Sequence, residues 1–152
     1  MTSLTLSEKR YMYLVIDTNI IVNYLKSSSA NSKAQRLMED VITGKHQMCI
    51  SSSIMREYRE VLYRDRLNLP RYKVDWLLSW IYQHSVCIEP LPTTVKEVEM
   101  RDDEDDRVFF DVARCLNVKL VTRNQKHYPI HELVVSLDEI YPSHNASNEK
   151  EP

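Results

Sequence analysis

The chain has 152 residues, 43% of them hydrophobic and 28% charged, with a formal net charge of −2 at pH 7, a balance that suits one domain around one core. No apolar run reaches the roughly 20 residues of a membrane-spanning helix, and residues 1–10 are polar, unlike a secretory signal, so the expected location is the cytoplasm. The slightly negative charge argues against coating nucleic acid through bulk positive potential, but it leaves room for an enzyme that cuts nucleic acid at a local acidic site.

In chain order, residues 1–10 read as an N-terminal extension. Residues 11–16 form a short apolar run rich in β-branched and aromatic side chains, which predicts a buried strand. A short helix follows over 19–26. Asn31 is the expected cap of a helix reaching about residue 43, where Ala34, Leu37, Met38 and Val41 share one face. Gly44 stands where a left-handed C-cap belongs. Residues 47–50 predict a second strand, and Ser51, Ser52 and Ser53 are N-cap candidates for a helix to about residue 66. Pro70 opens the next helix, with Val74, Leu77, Leu78 and Ile81 apolar and Trp76 and Trp80 one turn apart, a pair suited to packing or a subunit contact.

Residues 85–88 resemble another strand. The acidic run Asp102-Asp103-Glu104-Asp105-Asp106 then precedes a helix to about residue 116. Further strands are expected at 118–122 and 133–136, and the tail 143–152 reads as disordered. Strands separated by helices imply an α/β domain over residues 11–142, a central parallel sheet with helices on both faces. Sites in such sheets form outside the carboxyl ends of the strands.

Gly44 is the only glycine, which excludes Gly-rich phosphate loops, so any phosphate chemistry runs through side chains or a metal. Cys49, Cys87 and Cys115 lack paired spacing and read as buried reduced thiols. The five histidines are dispersed, which argues against zinc. Arg56, Arg59, Arg64, Arg66, Arg71 and Lys73 gather in one stretch that reads either as a solvated face or as a surface touching phosphate.

Three acidic features fall at the carboxyl edge of the expected sheet. Asp17 ends the apolar run Leu14-Val15-Ile16, Glu57 lies a turn into the helix after the second strand, and Asp106 begins the helix leading to residues 118–122. Each alone has an ordinary explanation, as a turn residue, an ion-pairing helix residue and a solvated helix start respectively. Together they would crowd one crevice. Two carboxylates about 4 Å apart repel by roughly 4 kcal/mol at an effective dielectric near 20, so such a group raises its own pKa values or recruits a cation. Oxygen donors suit Mg²⁺ or Mn²⁺, and phosphodiester hydrolysis is the matching chemistry.

The segment Leu14-Val15-Ile16-Asp17-Thr18-Asn19 resembles the opening strand and turn of PIN-domain nucleases. The stretch 51–62 around Glu57 is similar to their second motif. Asp106 through Ala113, followed by Leu120-Val121-Thr122-Arg123-Asn124, looks like their third and fourth. The likeness covers roughly residues 11–141, with the closest pattern among VapC-like and related toxins of toxin–antitoxin pairs. It implies a PIN-like three-layer α/β/α fold, an endoribonuclease using Mg²⁺ or Mn²⁺ on an RNA substrate, frequent homodimers and a small antitoxin protein as partner.

Carried onto this chain, the resemblance implies that Asp17, Glu57 and Asp106 are catalytic and bind metal together with Asn124, with Asn19 and Thr122 holding them by hydrogen bonds. Asn124 departs from the acidic residue found in many relatives, and Asp103 or Asp105 is an alternative to Asp106. Arg123 is offered either to a substrate phosphate or to solvent. A catalytically inactive PIN domain that binds nucleic acid or protein is the alternative function. A phosphoacceptor receiver domain lacks its paired acid and its lysine here.

Overall fold

The computed structural model describes residues 11–27, 32–91, 104–128 and 132–143, with residues 104 and 105 described as backbone only. Five strands, β1 (Met12–Ile16), β2 (His46–Ile50), β3 (Val86–Cys87), β4 (Lys119–Val121) and β5 (Val134–Val135), form one sheet in the order β3-β2-β1-β4-β5. Every pairing is parallel. Among the described residues six α-helices flank it: α1 (Thr18–Lys26), α2 (Lys33–Ile42), α3 (Ser52–Leu62), α4 (Arg71–His84), α5 (Glu104–Leu116) and the short α6 (Leu137–Ile140). This is the three-layer α/β/α arrangement expected of the alternating pattern.

The central strand explains the core. Leu14, Val15 and Ile16 are fully buried, as a strand covered on both faces requires. The same core holds Ile20 and Ile21 of α1, Leu37 and Met38 of α2, Tyr58 of α3, and Phe109, Phe110 and Val112 of α5, all buried. In α4 the apolar stripe Val74, Leu77, Leu78 and Ile81 is buried as its spacing predicts. Trp76 is 53% exposed, and Trp80 is half-buried and stacked on His84 at 4.5 Å.

Helix ends follow local chemistry. Ser32 caps α2 by accepting from the Gln35 amide at 3.0 Å, one residue after Asn31, which lies outside the described residues. Gly44 has φ +91°; its amide donates to Val41 O and the Lys45 amide to Asp40 O, the paired bonds of a Schellman stop. Ser51 caps α3 by accepting from the Ile54 amide at 3.1 Å.

The α3 helix stops at Leu62, short of the expected residue 66, and a 3₁₀ turn over Asp65–Leu67 replaces its last turn. Asn68 then turns left-handed at φ 51°. Leu69 precedes Pro70, a position that disfavours helical backbone.

Two of the cysteines depart from expectation. Cys49 is buried in β2, where burial pushes its thiol up to about 11, whereas Cys87 and Cys115 are exposed. Cys87 stands on the two-residue edge strand and Cys115 in the last turn of α5, away from the apolar stripe. At the other end of the sheet, His46 is buried at the start of β2. Its Nδ1 accepts from the Met12 amide at 3.2 Å, its Nε2 finds no partner among the described residues, and burial lowers its pKa.

Candidate active site

The strand order reverses at β1. From β1 the chain steps first to β2 and β3, then crosses back to β4 and β5 on the other side. The crevice between β1 and β4 at their carboxyl ends is therefore a topological switch point, where open parallel sheets bind ligands. Ile16 pairs with Val121, so the next residues out, Asp17 and Thr122, stand side by side at its mouth. The Asp17 amide extends the ladder by donating to Val121 O at 3.0 Å.

Asp17 is 5% exposed. The Thr122 hydroxyl donates to its Oδ2 at 2.7 Å and the Tyr128 hydroxyl donates to the same oxygen at 3.2 Å. Burial raises the carboxyl above its ordinary value. The Thr122 and Tyr128 bonds and the Thr18 and Asn19 amides oppose that shift without cancelling it. Asp17 is also the N-cap position of α1, although no formal side-chain capping bond closes there; the positive end of the helix acts in the same direction as the amides. Thr122 itself is fully buried and is used twice, since its Oγ1 also accepts from the Asn124 amide at 3.0 Å. One hydroxyl thus fixes both the first acid and the loop carrying Asn124.

Tyr58 ties the other elements to this edge. Its hydroxyl donates to Ile16 O at 2.6 Å, one residue before Asp17. Burial, with the charge of Asp17 adding to it, holds its phenol well above the ordinary range, so it remains a donor. Its ring lies 5.9 Å from that of Phe109. Glu57, half-buried, precedes Tyr58 on α3, and Asp106 lies one turn before Phe109 on α5. Asp106 is 16% exposed, with its Oδ2 3.4 Å from His127 Nδ1 in the 3₁₀ turn that Asn124 opens.

Contacts at this edge link four of the predicted residues to Asp17 or to the turn after Asn124, and Glu57 is placed only by its position on α3. Asp17 and Thr122 are bonded, Asn124 is joined to Thr122 through its backbone, Asp106 meets the turn after Asn124, and Asn19 is exposed with its amide toward Asp17. Among the described residues no three of His, Cys, Asp or Glu gather closely enough to form a metal cluster. Asp102 and Asp103, and the side chains of Glu104 and Asp105, lie outside the described residues.

The donor chemistry nevertheless fits a hard divalent cation. Asp17 and Asp106 offer carboxylate oxygens, and a buried carboxylate whose charge is penalised by desolvation is stabilised by positive charge beside it. Arg56, Arg59, Arg64, Arg66, Arg71 and Lys73 are all exposed, and the Arg71 guanidinium lies over the Tyr63 ring at 5.2 Å.

Sequence reasoning missed Tyr58, His127 and Tyr128. Tyr128 is 111 positions from the carboxylate it bonds and sits in an irregular turn, so no periodicity marked it. Tyr58 lies within the stretch 51–62, but its bond to Ile16 O spans 42 positions and no local pattern marks it.

Comparison with known proteins bears on this edge. The family model described as PIN domain matches residues 13–126, a span that contains Asp17, Glu57, Asp106, Thr122 and Asn124 but ends before Tyr128. Among solved structures, a chain of VapBC2 from Rickettsia felis bound to a DNA fragment from their promoter aligns with a TM-score of 0.52 and 17% identity, covering 82% of this chain and 98% of that one. At that identity the likeness concerns the fold. No curated protein sequence matches the chain.

Proposed function

The chain belongs to the PIN-domain family, and from that premise we propose that it is a metal-dependent endoribonuclease hydrolysing RNA phosphodiester bonds, the toxin of a toxin–antitoxin pair. The observation that carries this reading is the buried Asp17 carboxylate at the β1–β4 switch point, bonded by Thr122 and Tyr128. Asp17, Glu57, Asp106 and Asn124 would hold Mg²⁺ or Mn²⁺. When bound, such an ion supplies charge stabilisation at the scissile phosphate and a more acidic water.

The protein's own groups do the rest. Asp17, held in one rotamer by two hydroxyl bonds, presents its remaining oxygen in a fixed direction. Glu57 either completes the set of metal ligands or orients the water that attacks phosphorus as the bond to the leaving nucleotide breaks. Thr122 keeps Asn124 in register with Asp17 through the 3.0 Å bond to its amide.

The likeness to a chain of a VapBC2 complex supports a small antitoxin protein as partner. A homodimer would use the α4 face, where Trp76 and Tyr72 are 53% and 71% exposed. A cytoplasmic location fits a chain whose described helices include none long and apolar enough to cross a membrane. Asn124 favours the second reading, a PIN domain that binds without cutting, because an amide offers an oxygen but no charge.

Cleavage of a mixed pool of short RNAs, with and without Mn²⁺, separates the two readings. The wild type should cut only with the metal and Asp17→Asn should not cut. An Asp17→Asn variant with full Mn²⁺-dependent activity would remove the assignment.

A further inference from the structure

We infer that the cavity walled by Thr122 is a subsite for the RNA strand beside the scissile phosphate, with Arg123 and Lys33 as its phosphate contacts and Asp138 as a competitor that holds Lys33 when no RNA is bound. This rests on the ribonuclease reading and deepens it. The cavity, about 520 Å³, opens between the C-terminal end of β4, the end of α1, the start of α2 and the start of α6. Its size falls within the roughly 300–1,000 Å³ of built ligand sites. Thr122 is shared by the two regions, since it lines the cavity and its hydroxyl lies 2.7 Å from Asp17 Oδ2.

The lining is polar and suited to a ribose–phosphate chain. Arg123 is exposed at its rim and offers a planar fork of donors. Asn23 adds an amide. Ser32 and Ser136 each accept from an amide of the helix they cap, Gln35 and Glu139. An accepting hydroxyl keeps its own hydrogen to donate. With Lys33 and Arg123 against Asp138, the cavity carries one net positive charge. An acidic edge next to a basic pocket is the polarity a polyanion needs when one phosphate is hydrolysed and its neighbour is held.

Lys33 explains how the pocket responds to RNA. Its ammonium donates to Asp138 Oδ1 at 2.5 Å and to Ser143 Oγ at 2.9 Å. The lysine side chain is 25% exposed and the aspartate 81% exposed. An ion pair with so exposed an acid is weak, so an arriving phosphate displaces Asp138 and takes over its lysine.

The test is equilibrium binding of a fluorescent single-stranded RNA dodecamer to the full chain in EDTA, followed by anisotropy, with no metal and no cleavage. Arg123→Ala and Lys33→Ala should each weaken binding about tenfold and lower the slope of log affinity against log salt by about 0.7. Asp138→Asn should tighten binding severalfold. Lys45→Ala removes the same charge beyond the opposite end of α2, next to the start of β2, and should change affinity less than twofold. Equal weakening by Lys45→Ala would reduce the effect to bulk charge and overturn the subsite, as would unchanged affinity in Arg123→Ala and Lys33→Ala. If these variants behave as expected while the wild type cuts no RNA with Mn²⁺, the subsite stands and the nuclease reading fails.

Discussion

Replacing Thr122 by valine removes one oxygen and leaves the shape of the side chain nearly unchanged, so the consequence is electrostatic. That oxygen donates to the buried Asp17 carboxylate at 2.7 Å and accepts from the Asn124 amide at 3.0 Å. A buried polar group left unsatisfied costs about 1–3 kcal/mol. Two groups are affected, but Asp17 retains the Tyr128 bond and Asn124 is only half-buried, so water compensates in part. The expected loss is about 2–3 kcal/mol, which for a domain of this size lowers the melting temperature by roughly 5–10 °C. Thermal and urea unfolding of wild type, Thr122→Val and Thr122→Ser measure it. The serine variant keeps the hydroxyl and should lose roughly 1 kcal/mol, for its missing methyl. A valine variant within about 0.5 kcal/mol of wild type, or a serine variant as damaged as valine, would refute the role given to this hydroxyl.

Asp17→Asn should leave the metal-free protein as stable as the wild type or more so, by about 1 kcal/mol at neutral pH, because burial penalises the charge that the substitution removes; differential scanning calorimetry reads the shift. His46 should make the protein acid-sensitive. With its folded pKa lowered from the ordinary 6.5, the unfolded chain binds more protons as pH falls below that value, so stability declines from pH 7 toward 5, and His46→Asn should flatten that decline in a urea-unfolding series. Asn124→Asp should tighten Mn²⁺ binding severalfold in calorimetric titration. The gross gain of one charge, roughly 4 kcal/mol at about 4 Å and an effective dielectric near 20, is mostly offset by repulsion from Asp17 and Asp106. Unchanged or weaker binding would place Asn124 out of the metal's reach.

What the sequence made legible was what depends on local pattern. Leu14-Val15-Ile16 had to be a doubly covered strand, and Asp17 directly after it had to emerge at the sheet edge; the parallel order follows from the alternation of strands and helices. Gly44 marked its helix stop because a left-handed position favours glycine. Contacts between distant segments were not legible. Tyr128 reaches Asp17 from an irregular turn, and Lys33 reaches Asp138 between two helix starts, only after the sheet has brought those segments together. The end of α3 was misplaced because its residues remain good helix formers past Leu62, and the turn at Asn68 and Pro70 decides otherwise. Cys87 and Cys115 have apolar neighbours in sequence, yet an edge strand and the outer side of a helix leave them exposed.

The convergence of Asp17 and Asp106 on a single ion is tested most directly by diffraction from crystals grown with Mn²⁺, using the anomalous signal of the metal. A single strong peak liganded by both carboxylates, and lost in Asp17→Asn, is the predicted result. A peak held elsewhere, or none at these residues at saturating Mn²⁺, would contradict it.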